Sequence, residues 1–183
     1  MKNSTLHTIG HGNKPIKQLV KELNSFEIKY VIDVRSKPYS KYNPHFNQNE
    51  LKFSLLDNKI QYVFLGEQLG GLPTDLTCYT NGKVDYDKIK EKDFFKEGLN
   101  RLVTAHKKQI KVAIMCSESN PKQCHRSKLI GEELRKLGII LNHIVNDNLV
   151  KDQIIVMTEV TKGLPMQNLF GETVSFSSRK KYI

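Results

Sequence analysis

Apolar residues along this chain fall into short dense runs separated by stretches of helical period. Leu6–Ile9 is strand-like and stops at Gly10. Ile16, Leu19, Val20, Leu23 and Phe26 recur at helical spacing, which predicts an amphipathic helix opened by Pro15. Tyr30–Val34 is almost continuously apolar, as a parallel strand covered on both faces would be. Arg35–Asn47 is polar and carries Pro38 and Pro44, which predicts a loop. A short helix over Asn49–Leu56 and a strand over Ile60–Leu65 follow.

Gly66–Val84 is rich in glycine, contains Pro73 and keeps no period, so it reads as a long loop of the functional or mobile kind. Phe95, Leu99, Leu102, Val103 and His106 mark a helix capped by Asp93. Lys111–Met115 is the clearest buried strand. Pro121–Leu137 reads as a helix with Leu129, Ile130, Leu134 and Leu137 inward and Gly138 just past its end. Ile139–Val145 is a last strand. Strands alternating with helices predict a single three-layer α/β/α domain around a mainly parallel sheet. Residues 1–146 form the α/β unit that carries any site. Residues 147–183 break the rhythm and read as a C-terminal extension that covers a sheet edge and ends in a loose basic tail.

Charge adds a partner class. The 183 residues include 29 Lys and Arg against 19 Asp and Glu, a formal charge of +10. That suits an anionic partner such as nucleic acid or a nucleotide, although Lys-rich surfaces are also a common neutral feature. Arg179-Lys180-Lys181 is the one tight basic cluster. No apolar run approaches the ~18 residues of a membrane span, so no membrane is expected. Met1–Gly10 lacks the apolar core of a signal peptide, and three cysteines cannot all pair within one chain. A reducing cytoplasm is the expected location.

In an open α/β sheet, ligands bind beyond the carboxyl ends of the strands. Gly10-His11-Gly12-Asn13 follows the first predicted strand, and Asp33-Val34-Arg35-Ser36 ends the second. Gly66-Glu67-Gln68-Leu69-Gly70-Gly71 follows the third. Cys116-Ser117-Glu118 and then Pro121…Cys124-His125-Arg126 follow the fourth. His11, Asp33, Cys116, Glu118 and Cys124 are therefore candidate catalytic groups. Arg35, Ser36, Gly70, Gly71, His125 and Arg126 are candidate substrate-binding groups. A thiol near a helix N-terminus and beside Arg or His is expected to ionise easily. The plain alternative is that each Cys is a small buried hydrophobe. The placing of Arg126 after the cysteines does not match the thiol-phosphatase spacing. Cys116, Cys124, His125 and His11 are also soft donors, but Cys-x₇-Cys-His lacks the close Cys pair of structural zinc sites, and no metal or cofactor is assigned. His7 and His106 fit structural roles, and Cys78 has no partner in sequence. Tyr42 and His45 lie in the second loop, where they could stack on a base.

These motifs resemble the domain of unknown function 488 family. The resemblance runs from about Leu6 to Ile144. It rests on Thr8-Ile9-Gly10-His11, on Asp33-Val34-Arg35-Ser36, on Leu65-Gly66…Leu69-Gly70-Gly71, and on Cys116…Glu118…Pro121…Cys124-His125-Arg126. Gly12 stands where the family more often has Ser after the His. The resemblance implies a shared site and names no reaction. Gln167-Asn168-Leu169-Phe170 weakly resembles peptides that dock on bacterial sliding clamps, but an apolar patch pinning the tail to the domain is the favoured reading.

Three functions remain open on the residues alone. The first is an enzyme acting on a phosphate-bearing substrate, a nucleic acid or nucleotide. Arg35 and Arg126 would hold phosphate, Glu118, Asp33 or His11 would move protons, and Cys116 or Cys124 would attack. The second is a non-catalytic nucleic-acid-binding module. The third is a metal or thiol redox site.

Overall fold

The computed structural model describes residues 4–167 and 174–183. In chain order, β1 is Leu6–Gly10, α1 Ile16–Ser25, β2 Tyr30–Asp33, α2 Gln48–Asp57, β3 Gln61–Phe64 and α3 Gly66–Leu69. A hairpin of β4 (Tyr79–Thr80) and β5 (Lys83–Val84) leads to α4 (Tyr86–Ile89) and α5 (Asp93–Lys107). Then come β6 (Val112–Cys116), α6 (Glu132–Lys136), β7 (Asn142–Asn146), β8 (Leu149–Asp152) and α7 (Gln153–Val160). The expected α/β fold is present: a six-stranded sheet in the order β3-β2-β6-β1-β7-β8, flanked by helices on both faces. Five strands run parallel, and β8 closes one edge antiparallel to β7. No helix of the described residues is long and apolar enough to cross a membrane.

Strand alternation divides the core. Leu6, Val112, Ile114 and Cys116 face Phe95 and Leu102 of α5 together with Leu129 and Leu134. Ile9, Val31, Ala113 and Met115 face Leu19 and Leu23 of α1 and Leu51 and Leu55 of α2. Cys116 thus ends the central strand β6 on the α5 face, with its side chain at the rim.

Four expectations need correction. Lys92 holds the cap position of α5, and Asp93 is already its first residue. The predicted helix Pro121–Leu137 is broken into a 3₁₀ turn at Pro121–Gln123, a π-helical turn at Arg126–Gly131 and the short α6. The wider turn adds a residue to the helical phase, and α6 stops at Lys136, so Leu137 is 58% exposed while Gly138 takes the expected left-handed φ of 77°. Gly66–Val84 is not a structureless loop. It holds α3, a 3₁₀ turn with Asp75 as its cap, and a hairpin turning at Asn81-Gly82 with φ of 51° and 81°. Cys78 belongs to the core there.

The fourth correction concerns the tail. Ser178 N donates to Val84 O (2.9 Å), Val84 N donates to Ser178 Oγ (3.0 Å), and Tyr86 N donates to Phe176 O (3.1 Å). The tail thereby satisfies backbone groups that β5 would otherwise leave bare. Asn168, Leu169 and Phe170 of the sliding-clamp-like peptide lie outside the described residues.

Candidate functional site

The carboxyl ends of β1, β2 and β6 are neighbours in the sheet, so the loops that follow them converge. Between them lies a cleft of about 350 Å³. His11, Arg35, Ser36, Gly71, Cys116, Glu118 and His125 line it. Asp33, Gly70, Cys124 and Arg126 stand behind its wall. A second cavity of about 400 Å³, bordered by Lys128, Glu132, Arg135 and Met166, contains none of the candidate residues.

The floor of the cleft is a sulfur cluster. Cys116 Sγ donates to Glu118 Oε2 at 3.0 Å, and Cys124 Sγ lies 3.5 Å from the same oxygen. His125 Nδ1 faces both sulfurs, 4.0 Å from Cys116 and 3.7 Å from Cys124. Gly71 makes room for that ring, since a Cβ there would sit 2.9 Å from Nδ1. The donor atoms of Cys116, Cys124 and His125 all lie within 4.8 Å of one another, and all three residues are buried. Among the described residues His125 Nε2 has no hydrogen-bond partner.

Arg126 controls the charge of this cluster. It is 1% exposed and donates through Nε to Cys124 Sγ (3.1 Å), through one terminal nitrogen to Thr8 Oγ1 (3.3 Å), and through the other to Glu118 O (2.5 Å). The Glu118 carbonyl reaches it because Gly10 has no Cβ, which would stand 1.9 Å from that oxygen. Burial opposes ionisation of Cys124. The hydrogen bond shared with Cys116, the Arg126 guanidinium and His125 outweigh it and hold that thiol well below its ordinary range. Cys116 is held well above its range by the same shared hydrogen bond, by burial and by the negative charge of Cys124 and Glu118. Easy ionisation was expected from a helix N-terminus and from Arg or His beside the thiol. The turn that follows is π-helical; the Arg126 and His125 side chains hold Cys124 down, while Cys116 is raised.

A buried chain of hydrogen bonds carries Arg126 from behind. Thr8 Oγ1 bonds His143 Nδ1 (2.7 Å), and His143 Nε2 donates to Gln153 Oε1 (2.8 Å). Gln153 Nε2 donates to Glu132 Oε1 (2.7 Å) and Ser127 O (3.0 Å). Because an amide oxygen only accepts, His143 must carry its proton on Nε2. Burial lowers its pKa to about 4.

The second rim cluster is tied to itself. Asp33 accepts from Arg35 N, Nε and a terminal nitrogen, and from the Tyr62 hydroxyl at 2.8 Å. Burial and the Asp33 charge push the Tyr62 phenol far up. The remaining Arg35 nitrogen lies 3.3 Å from His11 Nε2, while His11 Nδ1 donates to Gly12 O at 2.8 Å. His11 stacks on Phe46 with ring centroids 4.2 Å apart. Burial, assisted by Arg35, lowers His11 to about 4. His11 therefore stands neutral and apart from the sulfur cluster, with both nitrogens engaged. Ser36 Oγ accepts from Leu72 N (2.9 Å) and packs where a Cβ on Gly70 would fall, which fixes the turn carrying Gly71. Both guanidinium groups expected to meet phosphate are bound to protein partners.

The sequence reading missed several residues at this site. Lys37 and Tyr39 border the cleft from the loop after β2, where the same strand-end rule pointed. His143 and Gln153 lie in a strand and at a helix start and carry no local signal, and Thr8, part of the family motif, was given no role. Arg179 and Tyr182 reach the cleft from the tail. Burial pushes the Tyr182 phenol up, with the Glu118 charge adding to the effect.

No curated protein and no solved structure matches the chain. The family model that does match is described as domain of unknown function DUF488 and covers residues 15–131. That span holds Asp33 through Ser36, the glycine turn and the whole sulfur cluster, leaving Thr8 through His11 just outside, and the chain belongs to the DUF488 family.

Proposed function

We propose that the protein is a hydrolase acting on a phosphate-bearing substrate of nucleotide size, free or within a nucleic acid. The observation that carries this reading is the contact of Glu118 Oε2 with Cys116 Sγ, 3.0 Å, on the floor of an open cleft. A cleft of about 350 Å³ suits one nucleotide. Lys37 and Arg179 border it with positive charge, and Tyr39 offers a ring face on which a base can stack. The formal charge of +10 favours the same partner.

In this reading Glu118 is the proton acceptor. Water attacks phosphorus, the bond to the leaving oxygen on the far side breaks, Glu118 takes the proton of the water, and the leaving oxygen takes its proton from solvent. Lys37 and Arg179 hold the phosphate, a task that Arg35 and Arg126 are too heavily engaged to perform. Asp33, Arg35 and His11 position the wall. Gln153 and the tail make residues 147–183 part of the working unit.

The test is phosphate release from nucleoside monophosphates and from single- and double-stranded oligonucleotides at physiological salt. Wild-type turnover that falls about 100- to 10,000-fold in Glu118→Gln with little change in KM supports the reading. Lys37→Ala and Arg179→Ala should raise KM instead. No turnover on any of these substrates, or equal rates for Glu118→Gln, sinks it. Salt-resistant binding without turnover would leave a non-catalytic nucleic-acid module.

A further inference from the structure

We propose that Cys116 Sγ, Cys124 Sγ and His125 Nδ1 bind one thiophilic divalent cation of the zinc class, with its fourth position open to the cleft. The inference deepens the hydrolase reading, and its cation would be what activates the attacking water there.

Distances come first. Tetrahedral bonds of about 2.3 Å to sulfur and about 2.0 Å to nitrogen place a sulfur and a nitrogen ligand about 3.6 Å apart. The observed sulfur–nitrogen separations are 4.0 and 3.7 Å, so each of these pairs needs to close by only a few tenths of an ångström, and all three donors lie within 4.8 Å of one another. Two thiolates and one imidazole are the soft and borderline donors that select zinc over magnesium or calcium.

The surroundings fit as well. His125 Nε2 is sealed from solvent and has no partner among the described residues, so nothing they offer at that end explains how the ring is turned. The ring is set by Gly71 against its face and by what Nδ1 meets, which is the pair of sulfurs. Arg126 donates to Cys124 Sγ at 3.1 Å, as groups that support metal-bound thiolates do. With Glu118 counted as a carboxylate, two thiolates and Glu118 carry three negative charges. A dication and the Arg126 guanidinium carry three positive ones, so the buried cluster is neutral when filled.

Three protein ligands with a vacant fourth position are the arrangement of catalytic rather than structural zinc. Cys116 lines the cleft and Cys124 does not, which puts the opening on the Cys116 side. Glu118 stands beside that opening as proton acceptor. The cysteines then serve as ligands and not as nucleophiles.

The experiment is a Co²⁺ titration of the full-length chain, reduced, stripped by chelator and kept free of oxygen. One equivalent should produce a sulfur-to-cobalt charge-transfer band and strong visible bands of tetrahedral cobalt, and Zn²⁺ should bleach both. Cys116→Ser and Cys124→Ser should each weaken binding more than about 10-fold and lose part of the charge-transfer band, while Cys78→Ser, whose thiol is not one of the grouped donors, changes neither. His125→Gln should keep the charge transfer and shift the visible bands. Where Cys124→Ser does not fold, Cys116→Ser and the protection of wild-type Cys116 from alkylation by Zn²⁺ decide the matter. A wild-type protein without the band, or a band that depends on Cys78, overturns the site. Cobalt binding without turnover of any phosphate substrate leaves this site standing and removes the proposed reaction. Turnover by thoroughly chelated protein keeps the reaction and overturns the role of the cation in it.

Discussion

Arg126 Nε lies 3.1 Å from Cys124 Sγ in an interior that neither side chain shares with solvent. The planar guanidinium reaches three groups at once: Cys124 Sγ, Thr8 Oγ1 of strand β1, and the Glu118 carbonyl. An ammonium offers no such fork.

Arg126→Lys and Arg126→Met should therefore both be severe. Removing one partner of a buried charged contact costs about 3–5 kcal/mol. Urea unfolding at pH 7 measures this directly. A loss below about 1 kcal/mol for either variant would show that the network does not hold the fold.

Gln153→Ala tests the far end of the same chain. It leaves His143 Nε2 without its partner and removes one bond each from Glu132, which keeps Arg135, and from the Ser127 carbonyl, which keeps Glu132 N, while touching no residue of the cleft. Buried polar groups left without partners cost about 1–3 kcal/mol each. The expected loss of stability is about 3 kcal/mol, with cleft binding changed only through a loosened Arg126. Unchanged stability together with altered binding would instead assign Gln153 a direct part in the site.

The contrast between Glu118 and Gln153 shows what the sequence made legible. Cys116, Glu118, Cys124 and His125 follow a strand whose apolar run is unmistakable, and the strand-end rule collects them without any structure. Thr8, His143 and Gln153 meet only through tertiary pairing, since β1 neighbours β7 and α7 begins where β8 ends. The π-helical turn at Arg126–Gly131 was invisible for a related reason: one added residue leaves Leu129, Ile130 and Leu134 in an ordinary helical pattern. The hairpin was readable but overlooked, for Asn81-Gly82 is a strong turn signal. Its two-residue strands are too short to show alternation. The tail looked loose because nothing local reveals that it completes the backbone bonding of β5.

Truncation before Ser175 should expose that relationship. The tail contributes Arg179 and Tyr182 to the cleft beside Cys116, which is 5% exposed. Without it, alkylation of Cys116 by iodoacetamide should quicken several-fold, and loss of the Ser178 bonds to Val84 should cost about 1–2 kcal/mol. Equal alkylation rates in the intact and shortened proteins would mean that the tail covers nothing the reagent needs to reach.

Acid should unfold this protein earlier than its carboxylates alone would. His7, His11 and His143 each have a folded pKa of about 4, chiefly because burial penalises their charged forms. Near 6.5 an unfolded histidine takes up a proton that the folded protein refuses. Each therefore contributes stability that is complete above about pH 6.5 and lost progressively down to about pH 4, roughly 3 kcal/mol apiece. Against a typical domain stability of 5–15 kcal/mol, three such losses are decisive. His125 has the opposite sign but another window. Burial works against its charge, Cys124 outweighs burial, and the folded pKa is raised, so its contribution is complete below about 6.5 and fades as pH rises. It cannot rescue the fold in acid. Thermal melts from pH 8 to pH 4 should decline from about pH 6.5. His7→Leu, which removes a ring whose Nδ1 has no partner, should flatten that decline by about a third at little cost at pH 7. A melting temperature constant from pH 7 to pH 4.5 would mean that these histidines take up protons in the folded state.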